Sequence, residues 1–296
     1  MNQQIRQDRI SLQETGTTYS NGIANTLTGV PSFWKIYERN VELLSRDVHY
    51  AQVLSSLESG TRIITDHQTL SNYLACYAGL HYHKLQTSFD VLFPQLPVNA
   101  TVDIIDYGCG QALATTVFYD YIIRKGKNIK VDKVILVEPS DLALKRGILH
   151  LNYFIDHKQQ DTIVKKKNLY LDNVSNPDIE SNSANIKIHL LSNILDVVGF
   201  DISALTRKIN STQKGMNFFI CVSPFNSTSK DRIENFQRDF NSTSIYCPSS
   251  TFNAKAFVIK NNQWEDECKI SMFQRIFKCN FESHIRRQNP VDDLPF

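Results

Sequence analysis

The stretch that most constrains this chain is Val102 to Ser140, VDIIDYGCGQALATTVFYDYIIRKGKNIKVDKVILVEPS. VDIID is short, rich in β-branched residues and bounded by a glycine turn, as a strand buried on both faces of a parallel sheet should be. Tyr107-Gly108-Cys109-Gly110 then reads as a tight turn. Gly108 permits a backbone conformation closed to other residues, and Gly110 lets the main chain approach a ligand closely. The following helix offers unpaired N–H groups at its start. The next strand, KVILVE, ends on Glu138, where a carboxylate can accept both hydroxyl protons of a ribose. Strand, GxG turn, helix, strand and terminal acid in that order predict an α/β nucleotide-binding unit. A lone GxG would not.

A dinucleotide fingerprint wants glycine at the first, third and sixth positions of the turn. Here the sixth is Leu113, a side chain large enough to hold the helix off the strand and crowd a pyrophosphate. The run Asp106-Tyr107-Gly108-Cys109-Gly110-Gln111-Ala112 instead resembles motif I of the class I S-adenosylmethionine-dependent methyltransferases, acidic-x-Gly-x-Gly-x-Gly, with alanine in place of the last glycine. Val137-Glu138-Pro139-Ser140 is similar to their motif II. VEPS followed by a helix, together with YLACYAGLHYHKLQTSFDVL before the turn, is loosely similar to the ribosomal small-subunit Rsm22-type branch, whose cysteine cluster has no counterpart here. The likeness covers roughly residues 70 to 225 and is specific over 102–140. It implies a Rossmann-like methyltransferase sheet, mostly parallel with the last strand antiparallel, and an N-terminal helical layer. It also implies S-adenosylmethionine as cofactor, held by Asp106, Tyr107, Gly108, Gly110, Gln111, Glu138 and Pro139. Ser192, Asn193 and Ile194, at the end of a later strand, would lie beside the adenine.

The expected organisation is a polar arm over 1–30, a helical subdomain over 31–97, the Rossmann-like domain over 98–282 and an exposed tail over 283–296. Phe33, Trp34, Tyr37, Val41 and Leu44 recur at helical spacing. A second helix is expected over His49 to Leu57. A third starts near Asp66, a candidate N-cap, and runs with an internal break to about Phe93, where Pro94 and Pro97 end it. Tyr82 and His83 near its end are candidate substrate contacts over the site. His81 and His83 are two residues apart and so make a poor metal pair. Ser140 or Asp141 should cap a helix over 142–153. Residues 156–185, with Lys165-Lys166-Lys167, read as a long irregular connection whose lysines form a solvated face. IKIHLL (186–191) and MNFFICV (216–222) read as the third and fourth strands. The second of these is followed by Ser223-Pro224-Phe225, candidate substrate contacts at a strand's carboxyl end. Thr228 or Ser229 should cap a helix over 230–240. Strands over 244–246, 254–260 and 270–278 close the fold, the last pair antiparallel.

Hydrophobic residues make up 42% of the 296, enough for a sizeable core. A net charge of +2 gives no whole-chain case for nucleic acid, so any such contact needs a local patch. The six cysteines include no CxxC pair, which disfavours zinc or an iron–sulfur cluster, and no metal is expected. Cys109, inside the glycine turn, and Cys221, inside an apolar strand, read as small buried fillers of a reducing, cytoplasmic compartment. The polar N-terminus is no signal peptide, and no apolar run is long enough to span a bilayer. The expected function is methyl transfer from S-adenosylmethionine, with RNA as the acceptor suggested by the resemblance. The alternative is a catalytically inactive binding or scaffold protein on the same fold. No side chain need form a covalent intermediate, so the absence of a Ser-His-Asp or Cys-His constellation is consistent with catalysis, and no catalytic base is named.

Overall fold

The computed structural model describes residues 17–44, 50–58, 62–246 and 249–281. Helices come first: α1 (Thr17–Thr26), α2 (Phe33–Glu42), α3 (Tyr50–Ser56), α4 (His67–Tyr73), a π-helical turn (Leu74–Ala78) and α5 (Gly79–Leu92). Then follow β1 (Thr101–Tyr107), α6 (Leu113–Arg124), β2 (Lys130–Val137), α7 (Asp141–Lys158), β3 (Ile163–Lys167) and α8 (Asn176–Ile179). The chain continues through β4 (Ile186–Ser192), α9 (Ile202–Thr212), β5 (Gly215–Pro224), α10 (Ser227–Arg238), β6 (Thr243–Tyr246), β7 (Ser249–Val258) and β8 (Gln263–Phe281). The sheet runs β3-β2-β1-β4-β5-β8-β6, with β7 paired to β8 as well. β1 to β5 are parallel, and β8 is antiparallel to β5, β6 and β7. The fold is therefore the α/β sheet expected, mostly parallel and closed by an antiparallel strand.

Each central strand is apolar on both faces. Ile104 packs with Val134, Ile188, Ile220 and the helices α1, α2, α5, α6 and α7. Its neighbour Ile105 packs on the other face with Leu191, Phe219, Phe277 and helices α8 to α10. On that second face Tyr107, His189, Phe219 and Phe277, from four adjacent strands, stack nearly parallel, with ring centroids 5.9, 4.3 and 4.7 Å apart. His189 is fully buried and both ring nitrogens are used: Nε2 donates to Asn217 Oδ1 (2.9 Å), and Nδ1 accepts from the Tyr107 hydroxyl (3.1 Å). Burial holds its pKa down to about 4, so the ring is neutral.

Several expectations change. Residues 17–26 of the expected arm are helical, and Ile23 and Leu27 are in the core; residues 1–16 and 282–296 lie outside the described residues, as does His49. The connection over 156–185 holds strand β3, a 3-10 turn and α8. IVKKK hides its strand character because it forms a sheet edge, where lysines are common and alternation is weak. One consequence is that MNFFICV belongs to the fifth strand in chain order. The N-cap of α10 is Asn226, which accepts from Ser229 N, rather than Thr228 or Ser229. Asp66 caps α4 by accepting from Thr69 N (2.7 Å), and Ser140 caps α7.

β8 is 19 residues long and does two jobs. Its second half pairs with β5, while its first half forms a hairpin with β7 that reaches the helical layer. There the Tyr37 hydroxyl accepts from Phe257 N (2.8 Å), and Trp264 packs against Trp34 and Tyr37. No helix among the described residues is long and apolar enough to cross a membrane.

Candidate functional site

The glycine turn joins β1 to α6 at the carboxyl edge of the sheet. Gly108 and Gly110 have φ of +60° and +52°, the left-handed region that side chains disfavour. A Cβ on Gly108 would also sit 2.5 Å from Ile194 Cδ1, whereas one on Gly110 would meet nothing within 4 Å. The first glycine is thus fixed by packing, and the second faces open space. Ala112 adopts φ +53°, the conformation that the replaced glycine of the resemblance would take without strain.

The turn is seated on α7 through Gly147. A Cβ there would lie 2.6 Å from the backbone carbon of Gln111 and 2.8 Å from Ala112 N. Mid-helix Gly→Ala normally gains about 1 kcal/mol, but overpacking against backbone costs about 1–3 kcal/mol. Gly147→Ala is therefore expected to destabilise the fold, read as a lower urea midpoint. A midpoint at or above wild type would show that the helix can shift freely.

Glu138 closes the arrangement. Its Oε2 accepts from Gly110 N (3.0 Å) and its Oε1 from Ser140 N (3.0 Å). Each carboxylate oxygen still has acceptor capacity for one more hydrogen. Burial raises its pKa, and the two backbone bonds pull it back. Beneath the turn, Asp106 is buried and its Oδ2 accepts from Thr115 N (3.2 Å) and Thr115 Oγ1 (2.7 Å). Burial pushes Asp106 up to about 7, with Thr115 opposing and the Glu138 charge adding.

Gly108, Gly110, Gln111, Glu138 and Pro139 line one cleft of about 400 Å³, together with Ser192, Asn193 and Ile194 from the end of β4. That size is in the range of small-molecule sites. Asn193 is left-handed (φ +54°), anchored by its N–H to Val222 O (2.7 Å). Among the described residues, the side-chain oxygens of Asn193 and Gln111 are buried without a hydrogen-bond partner. Both residues line the cleft, and a ligand N–H that reached either oxygen would offset the cost of its burial.

Other expected site residues lie elsewhere. Asp106 and Tyr107 sit under the turn with their side chains in the interior, and Leu113 is buried in the core instead of crowding the cleft. Tyr82 stacks on Phe33 and donates to Asp120, while His83 bonds Lys255 O (2.8 Å); neither lines the cleft. Ser223 donates to Asp196 (3.0 Å), Pro224 ends β5, and Phe225 is 54% exposed beside Phe273. None of the three lines the cleft. In their place the cleft takes Leu169, Tyr170, Leu171 and Asp172 after β3, and Ile64, Leu70 and Tyr73 from the helical layer. The signal for the first group was an apolar-aromatic run behind the lysines, which only reads as a strand end once β3 is recognised. Among the described residues no group of three or more His, Cys, Asp or Glu side chains is placed to hold a metal ion.

No protein-family model matches the chain, and no curated protein matches its sequence. Solved structures do resemble it. An N-methyltransferase from Bradyrhizobium japonicum, in complex with S-adenosyl-L-homocysteine, is 8% identical over 76% of this chain and 97% of its own, with a TM-score of 0.43. A candidate class I S-adenosylmethionine-dependent methyltransferase from Listeria monocytogenes is 12% identical over 97% and 91%, with a TM-score of 0.42. A precorrin-6y C5,15-methyltransferase from Geobacter metallireducens is 11% identical over 74% and 91%, with a TM-score of 0.41. All three of these structures carry methyltransferase names.

Proposed function

We propose that this chain is an S-adenosylmethionine-dependent methyltransferase acting on RNA. The observation that carries the reading is the Glu138 carboxylate, bonded to the Gly110 N–H of the open glycine bend, within one nucleoside-sized cleft. The residues fit the cofactor. Glu138 would take the ribose hydroxyls, Gln111 an amino hydrogen at the methionine end and Asn193 an amino hydrogen of the adenine. Gly110 leaves room for the cofactor against the main chain. When bound, S-adenosylmethionine supplies an already activated sulfonium methyl group. What remains for the protein is to bind, align and keep water out. Within the superfamily, Glu138-Pro139-Ser140 and the helices ahead of β1 support a place near the Rsm22-type branch, and with it the choice of RNA.

Calorimetric titration with S-adenosylmethionine and with NAD tests the cofactor. Binding of the first and not the second is expected, and the reverse would overturn the reading. Incubation with labelled methyl donor and total RNA, DNA or protein then tests turnover. Label in RNA is expected. Cofactor binding with no label in any pool would favour the alternative, an inactive binding or scaffold protein.

A further inference from the structure

We infer that Arg232, outside the cofactor cleft, is a positioning residue: it holds the loop after β4, one wall of that cleft, in the shape that receives S-adenosylmethionine. This rests on the methyltransferase reading above and adds to it a residue that acts through the loop rather than on the ligand.

The loop joins β4 to α9. Asn193, Ile194 and residues 197–200 line the cleft. A wall of irregular chain has no helix or strand ladder to fix its shape, so packing or side-chain bonds must do so. Packing fixes its near end, where Leu195 is fully buried in the core. It does not fix the tip. Val198 is 74% exposed, and a Cβ on Gly199 would meet, among the described residues, only Val197 Cγ1, at 3.9 Å.

The tip is gripped from behind by one side chain. Arg232 Nε donates to Leu195 O (2.6 Å), and its Nη2 donates to Val197 O (2.8 Å) and Phe200 O (3.4 Å). Three carbonyls of one loop thus converge on one rigid fork. The guanidinium also lies 5.5 Å from the ring centre of Phe200, which lines the cleft. α10 gives Arg232 a firm base, because Ile233 and Phe236 beside it are fully buried. At the far end of the loop, Asp201 N donates to Asp172 Oδ1 (3.0 Å), which joins it to the wall after β3.

A guanidinium suits this task. Its donors are fixed in one plane and meet several carbonyls at set angles, whereas an ammonium is a single mobile point. Arg232 also borders a second groove of about 490 Å³, shared with Asn235, Arg238 and Asp239. Water from that groove can take over the carbonyls when the side chain is shortened. The fold should then survive while the loop spreads over several shapes. A loop in the competent shape about a tenth of the time binds its ligand about tenfold more weakly.

Hydrogen exchange with mass spectrometry on the full chain reads the loop without any ligand. In Arg232→Ala, peptides covering 193–201 are expected to exchange at least about tenfold faster, with those covering β1 unchanged. Methylguanidinium, small enough to enter the groove, should restore slow exchange. Methylammonium, which has the charge without the fork, should not. Arg232→Lys should resemble the alanine variant, and it carries the test if alanine fails to fold. Calorimetry then joins the loop to the cofactor. Wild type is expected to bind S-adenosylhomocysteine, both variants about tenfold more weakly, and methylguanidinium should recover affinity in Arg232→Ala. Unchanged loop exchange, equal recovery with methylammonium, or wild-type affinity in a variant whose loop has loosened would overturn the proposal. A wild type that does not bind S-adenosylhomocysteine, with loop exchange still set by Arg232, would overturn the cofactor reading and not the grip on the loop.

Discussion

Replacing Glu138 with alanine is expected to weaken S-adenosylmethionine binding by about 1.5–3 kcal/mol, roughly 10- to 150-fold. The size follows from what the carboxylate does. It is the charged acceptor proposed for two ribose hydroxyls, and it also ties Gly110 N–H and Ser140 N–H to one point. Alanine removes both the ligand contact and the strap across the bend. Glutamine should not rescue it. One of its ends is an NH₂ group, which would face the Gly110 or the Ser140 donor. Calorimetry on wild type, Glu138→Ala and Glu138→Gln checks this; an alanine variant that binds as wild type would remove the ribose assignment.

The second large effect is on stability against pH. Asp106 is held protonated by burial, up to about 7 from an ordinary 3.8. Between those values the folded state binds a proton that the unfolded state has lost, so this group's contribution falls as pH rises. At roughly 1.4 kcal/mol per pKa unit, the full penalty above pH 7 is roughly 4 kcal/mol. His150 and His189 act in the opposite direction. Burial, aided for His150 by Arg146, holds them neutral with pKa values of about 3 and 4. Their contribution is complete above pH 6.5 and is lost as pH falls toward those values, each at roughly 1.4 kcal/mol per pH unit. Asp106→Asn keeps an acceptor for Thr115 and removes the buried acid. Its stability advantage over wild type in urea unfolding should grow from pH 4 to 7 and level off above 7. With that counterweight gone, its loss of stability in acid should be steeper than wild type's. A constant difference across this range would show that Asp106 titrates normally.

How legible the fold was depended on local chemistry. The run from Val102 to Glu138 was plain because β-branched residues, glycines and a terminal acid each have one natural reading there. Asp66 and Ser140 were readable as caps because an oxygen three residues ahead of an N–H is a local relation. β3 was not readable: its lysines suit an edge but resemble a solvated loop. Losing it also concealed Leu169 to Asp172 as part of the cleft. Tyr82 and His83 have site-like chemistry, yet their partners Asp120 and Lys255 are 38 and 172 residues away, so sequence alone could not show them occupied.

The clasp between Tyr37 and Phe257 spans 220 residues. During synthesis the leading helices leave the ribosome long before the hairpin that covers Trp34 and Tyr37 has been made. Their aromatic face must therefore wait uncovered through most of translation, a state that invites chaperone capture or self-association. A chain ended after α10 would keep β1 to β5 yet never shield that face, so premature termination should yield insoluble product rather than a smaller working protein.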